Sequence, residues 1–93
     1  MRNYDFTVII TANEDNKNAG LEMVTSTFSA AGVEITKQED MGVKILAYEI
    51  KKQDKGHYVY FELKADPEKI VEFEKAFLLN HNIMKFLFVN SDK

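Results

Sequence analysis

The spacing of the apolar residues switches between a period of two and a period near 3.6 four times along this chain, and few folds accommodate that order of switches. Residues 3–12 alternate: Tyr4, Phe6, Val8 and Ile10 point one way, and Asp5, Thr7, Ile9 and Thr11 the other. That is a strand with one wholly apolar face. Residues 13–18 are all polar and supply a turn and a helix N-cap. Leu21, Val24, Phe28 and Ala31 then form one helical stripe, which Gly32 is placed to end in a left-handed conformation.

Alternation resumes at Val33 and runs to Lys52, with a bulge or bend expected at Gly42. The turn-like residues 53–56 lead into a further strand from His57 to Ala65, giving an antiparallel hairpin. Asp66, Pro67 and Glu68 read as N-cap, first helical residue and first-turn acid. Ile70, Phe73 and Phe77 make the second helical stripe, and Ile83–Val89 the last strand.

The order β-α-β-β-α-β predicts an α+β, ferredoxin-like fold, with a four-stranded antiparallel sheet and both helices on one face. Phe6/Val8/Ile10, Val59/Phe61/Leu63 and Phe86/Phe88 are expected to meet the helices. Thr7, Ile9, Tyr58, Tyr60, Lys85 and Leu87 would lie on the other face, apolar enough to call for a covering partner. At 93 residues, positions 1–93 are expected to form a single domain.

Composition excludes several chemistries. With no cysteine, the chain has no disulfide framework, thiolate zinc site or thiolate-held iron–sulfur cluster. His57 and His81 have no carboxylate or second histidine at helical spacing, so they read as partly exposed polar residues and no metal is expected. Glu72 and Glu74 are two apart on a helix and do not face each other. Glu39-Asp40 reads as an exposed bend. The four glycines are scattered and build no phosphate loop, and the serines have no nearby base. No cofactor and no enzymatic activity are expected.

There is no apolar run long enough to span a bilayer and no signal-peptide pattern, so a cytoplasmic protein is expected. Net charge is −3, which argues against nucleic-acid binding by bulk charge. It is unevenly spread: residues 1–40 carry three basic and seven acidic side chains, and residues 41–93 nine and eight. A phosphate-facing surface should draw mainly on the second part. The segment KGHYVYF at 55–61 faintly resembles the aromatic third-strand motif of RNA-recognition domains, in which exposed rings stack on bases. Tyr58 and Tyr60 would be those rings. Packing against a protein partner is the alternative role for them.

Four stretches together resemble one family. Met1-Arg2-Asn3-Tyr4-Asp5 is similar to an M-R-x-Y-E start. Residues 39–52, EDMGVKILAYEIKK, are similar to E-x-x-G-x-x-x-L-A-Y-P-I-x-K. Gly56-His57-Tyr58 is similar to a G-x-[YF] strand opening, and residues 82–89, NIMKFLFV, to an N-[VI]-[LR]-R-x-[ML]-[VI]-V ending. These belong to bacterial small-subunit ribosomal protein six, and the resemblance runs over essentially the whole chain.

The resemblance implies a ferredoxin-like, non-enzymatic, ribosome-associated protein. It implies binding to the central domain of small-subunit ribosomal RNA as a heterodimer with ribosomal protein eighteen of that subunit, S-eighteen. It assigns Arg2, Tyr4 and Lys85 to RNA. The outward residues Thr7, Ile9, Ala47, Tyr58 and Tyr60 are then the expected partner surface. The alternative function is a free-standing RNA-binding module. Glu49 departs from the family's proline, Met84 from a frequent arginine and Asn80 from a sometimes basic residue. Many members carry a charged C-terminal tail, whereas this sequence stops at Lys93. Weak binding to RNA without the partner is therefore expected.

Overall fold

A computed structural model describes residues 2–50 and 52–91. The elements are β1 (Arg2–Thr11), α1 (Glu14–Ala30), β2 (Glu34–Ile50), β3 (Gln53–Ala65), α2 (Pro67–Leu78) and β4 (Ile83–Asn90). The strands form one sheet in the order β2-β3-β1-β4, every pair antiparallel. This is the expected βαββαβ arrangement.

The helices begin where short polar side chains can satisfy free backbone N–H groups. Asn13 Oδ1 accepts from the Asn16 N–H at 3.3 Å, and Asp66 Oδ1 from the Glu68 N–H at 3.0 Å, with Pro67 opening α2. Gly32 follows α1 with φ +75°, as its position after the apolar stripe predicts.

The core fills the space between helices and sheet. Phe6, Val8, Ile10, Phe61 and Leu63 meet Val24 and Phe28 of α1 and Phe73 and Phe77 of α2. Phe6 is central: its ring lies 5.4 Å edge-on from Phe28, 5.5 Å from Phe77 and 4.4 Å stacked on Phe88. Such edge and stacked pairs add to the stabilisation from area burial. Phe86 and Phe88 face the helices as expected but stay half-buried, because β4 is an edge strand.

The hairpin differs from expectation. Residues 53–56 are strand rather than turn, and the chain reverses between paired Ile50 and Gln53. Lys52 adopts φ +63°, the left-handed conformation such a two-residue connection needs. The reason lies in Gly56. A Cβ there would sit 2.4 Å from Ile9 Cγ2 and 3.6 Å from both Leu46 Cδ2 and Met84 Sδ. Without a side chain at 56, three apolar groups close over the backbone and the ladder continues. β2 is one long strand, and its register breaks between Asp40 and Gly42, where Gly42 has φ +82°. The expected bulge is there.

Candidate nucleic-acid and partner interface

The sheet face away from the helices is the candidate site. Register sets its residues in rows across the strands. One row is Gly42, Tyr58, Ile9 and Lys85; the next is Glu39, Tyr60, Thr7 and Leu87; a third joins Lys37, Glu62, Asp5 and Val89.

At the first row the face is partly closed. Ile9, Leu46 and Met84 form a second, small apolar cluster, with Ile50 and Tyr58 packed on it. The β2–β3 ribbon bends over this end, and the Thr11 hydroxyl donates to Gln53 Oε1 at 2.9 Å. Met84 joins the cluster because the β1–β4 register shifts between Ile9 and Ile10. That bulge lets Met84 and its neighbour Lys85 share the open face.

Two lysines are held against tyrosines here. Lys85 Nζ donates to the Tyr48 hydroxyl at 3.2 Å and lies 5.8 Å from the centroid of that ring. Lys44 Nζ lies 5.4 Å from the centroid of Tyr58. A cation over an aromatic face is attracted by the ring's negative π density. The third row holds two carboxylates and one lysine. Asp5 and Glu62 stand side by side, and Lys37 reaches Glu62 at 3.7 Å. Between the two ends, the Tyr60 hydroxyl donates to Asp5 Oδ1 at 3.0 Å. Burial foremost, then Asp5, holds that phenol above its ordinary pKa.

The expected site residues separate into groups. Thr7, Ile9, Tyr58 and Tyr60 share the open face, but Ile9 is only 9% exposed because Leu46 and Met84 cover it. Ala47 is exposed and lies between Leu46 and Tyr48, both of which contact the open face. Strand alternation therefore turns Ala47 to the helix side, away from the other four. Tyr4 is 8% exposed and shares its side of β1 with Phe6. Arg2 and Lys85 are both exposed but do not share a region. Lys85 is level with Ile9, seven residues along β1 from Arg2, or about 24 Å at ~3.4 Å per residue. Antiparallel pairing places the start of β4 beside the end of β1, so adjacency of the two strands does not bring these cations together.

Sequence reading missed one cluster, on the helix side. Asp40 Oδ1 accepts from the Gly42 N–H at 2.9 Å and meets His57 Nε2, while Asp40 Oδ2 lies 3.8 Å from Lys17 Nζ of α1. The Gly42 N–H foremost, with His57 and Lys17 assisting, holds the Asp40 carboxyl below its ordinary pKa. Helical spacing could not reveal a pair joined across a strand ladder. The cluster ties β2, β3 and α1 together and includes no nucleophile.

Among the described residues, no group of three or more His, Asp or Glu side chains is arranged to hold a metal ion, and no helix is long and apolar enough to cross a membrane. The sequence model of the family described as Ribosomal protein S6 matches residues 3–90. This chain belongs to the ribosomal protein S6 family. A small ribosomal subunit protein bS6 of Treponema denticola is 40% identical over 89 residues, covering 96% of each chain. That of Halalkalibacterium halodurans is 36% identical over 95 residues, covering the whole of both. The crystal structure of 30S ribosomal protein S6 from Thermotoga maritima superposes with a TM-score of 0.86 at 27% identity, over 96% of this chain and 86% of that one. The S6 family is a structural component of the small ribosomal subunit and not an enzyme.

Proposed function

We propose that this protein binds the central domain of small-subunit ribosomal RNA as a heterodimer with ribosomal protein S-eighteen, in the cytoplasm, and acts in the assembly and architecture of that subunit. Membership of the S6 family over residues 3–90 carries this reading. The open sheet face supports it, because it offers aromatic and apolar area beside both acidic and basic ends. The neighbouring carboxylates Asp5 and Glu62 suit a basic protein partner, and Thr7 and Tyr60 supply the contact area. Arg2 and Lys85 are the exposed cations for RNA. Tyr4, being packed, supports the β1 end that carries Arg2 rather than stacking on a base.

Binding of the purified protein to a central-domain RNA fragment, with and without S-eighteen at two salt concentrations, tests the reading. Tight, salt-sensitive binding is expected only with the partner. Equal binding without it would favour the free-standing module. Arg2→Ala and Lys85→Ala should each weaken RNA binding by the heterodimer about 3–10-fold and leave the fold intact, the scale of one exposed charge contact. Parent-like binding by both would remove them from the RNA surface.

A further inference from the structure

We infer that the ribbon end of the open sheet face is a phosphate-binding platform for RNA, formed by Lys44 and Lys85 and held in shape by Tyr58 and Tyr48. This rests on the RNA-binding reading above and assigns it a place and two further residues, Lys44 and Tyr48.

Three observations carry it. First, both ammonium groups are positioned. Lys85 is fixed by the hydroxyl and ring of Tyr48, and Lys44 by the ring of Tyr58. A lysine ordinarily loses much rotamer freedom when it binds, and a cation already resting on a ring loses less. Second, the two lie on one side of one surface. Tyr58, Ile9 and Lys85 are level across three adjacent strands, and Lys44 enters from β2 over Tyr58. At ~4.8 Å per strand, the line from β2 to β4 spans about 14 Å, which an extended polynucleotide segment can follow. The apolar floor of Ile9, Leu46 and Met84 is closed and rigidifies that line.

Third, charge divides the face. Asp5, Glu39 and Glu62 lie in the two rows beyond Tyr58, where Lys37 pairs with Glu62 and the rows stay net negative, and by strand alternation Asp54 lies further out toward the ribbon tip. RNA is repelled from the acidic rows and steered to the lysines, so it is the occupant that charge complementarity selects. Lysines held as point charges fix the position of a backbone without reading its bases.

The test is binding of the heterodimer with S-eighteen to the central-domain RNA fragment, with the slope of log affinity against log salt measured for each variant. Lys44→Ala and Lys85→Ala should each flatten the slope by about 0.7–0.9, one lost phosphate contact. Tyr48→Ala should weaken binding several-fold while circular dichroism shows the fold retained. Tyr48→Phe, which keeps the ring and loses the hydroxyl, should lie between. Each variant is also titrated with S-eighteen alone. Unchanged slopes for both lysine variants, with tight binding by the parent, would overturn the platform and leave the ribosomal reading intact. So would loss of S-eighteen binding without RNA, which would make this end the protein interface. No RNA binding by the parent heterodimer would overturn both.

Discussion

On the helix side of the sheet, Phe6, Phe28, Phe61 and Phe77 are completely removed from solvent and touch one another in edge-on and tilted pairs. On the other side, the buried large apolar side chains among the described residues are Ile9, Leu46 and Met84, each still 7–9% exposed. The same strands build both surfaces, and alternation alone decides which residues go where. The helices supply the apolar cover on one side. A bent ribbon and a bulge supply a fraction of it on the other. One face therefore stores the stability of the domain, and the other stays available for contact.

Substitutions should grade along that contrast. Phe61→Ala opens the main core and should cost about 3–5 kcal/mol in denaturant unfolding. A loss below ~1 kcal/mol would mean that the open face contributes as much as the covered one. Ile9→Ala removes the centre of the small cluster and should cost about 2 kcal/mol, the lower end of the range for such truncations. Amide exchange should then quicken in residues 44–56 more than in the helices. A uniform increase would show that the ribbon and core unfold together.

The smallest effect belongs to the Asp40 cluster, which pins the base of the ribbon to α1. Its folded pKa is lowered, so its stabilisation is present above the ordinary carboxylate value near 4 and is lost as pH falls through the lower folded value. Asp40→Asn should remove that acid-limb dependence, at a cost under ~1 kcal/mol because the carboxylate is about half exposed and screened by water. An identical pH profile for the parent and this variant would dissociate the cluster from the ribbon's anchoring.

Much of this was legible in the residues. The alternation of Tyr4 to Ile10, the stripes ending at Ala31 and Phe77, and the Asp66-Pro67 cap fixed element order and the buried faces, because local period and capping chemistry act within a few residues. What escaped depends on register, which only the assembled sheet sets. Arg2 and Lys85 were assigned together to RNA, yet the antiparallel pairing of β1 and β4 separates them. The expected turn at Gln53–Gly56 has turn-like composition, but Gly56 serves packing against Ile9 instead. Ala47 was grouped with the outward residues although Leu46 and Tyr48 take that side, and Asp40 meets His57 across the ladder because pairing sets Asp40 opposite Val59, two residues from His57 on the same face. The open face itself was recognised as needing a cover, while its division into basic and acidic ends emerges only when Lys44 and Lys85 are set in rows.

The length of β2 has a further consequence. As the outer strand of the sheet it leaves one side of a 17-residue backbone unpaired. Such an edge is a template for runaway strand addition between copies. The charge-free stretch between Lys44 and Glu49 is only Ile45-Leu46-Ala47-Tyr48, shorter than the six or seven residues that form a dry steric zipper. Glu49 stands where the family pattern places proline, and both residue types interrupt self-association, one by charge and the other by lacking an N–H. Glu49→Ala would join the run through to Ile50, and light scattering at elevated protein concentration should then show earlier aggregation with little change in unfolding midpoint. An apparent loss of a family feature is thus an exchange between two safeguards of solubility.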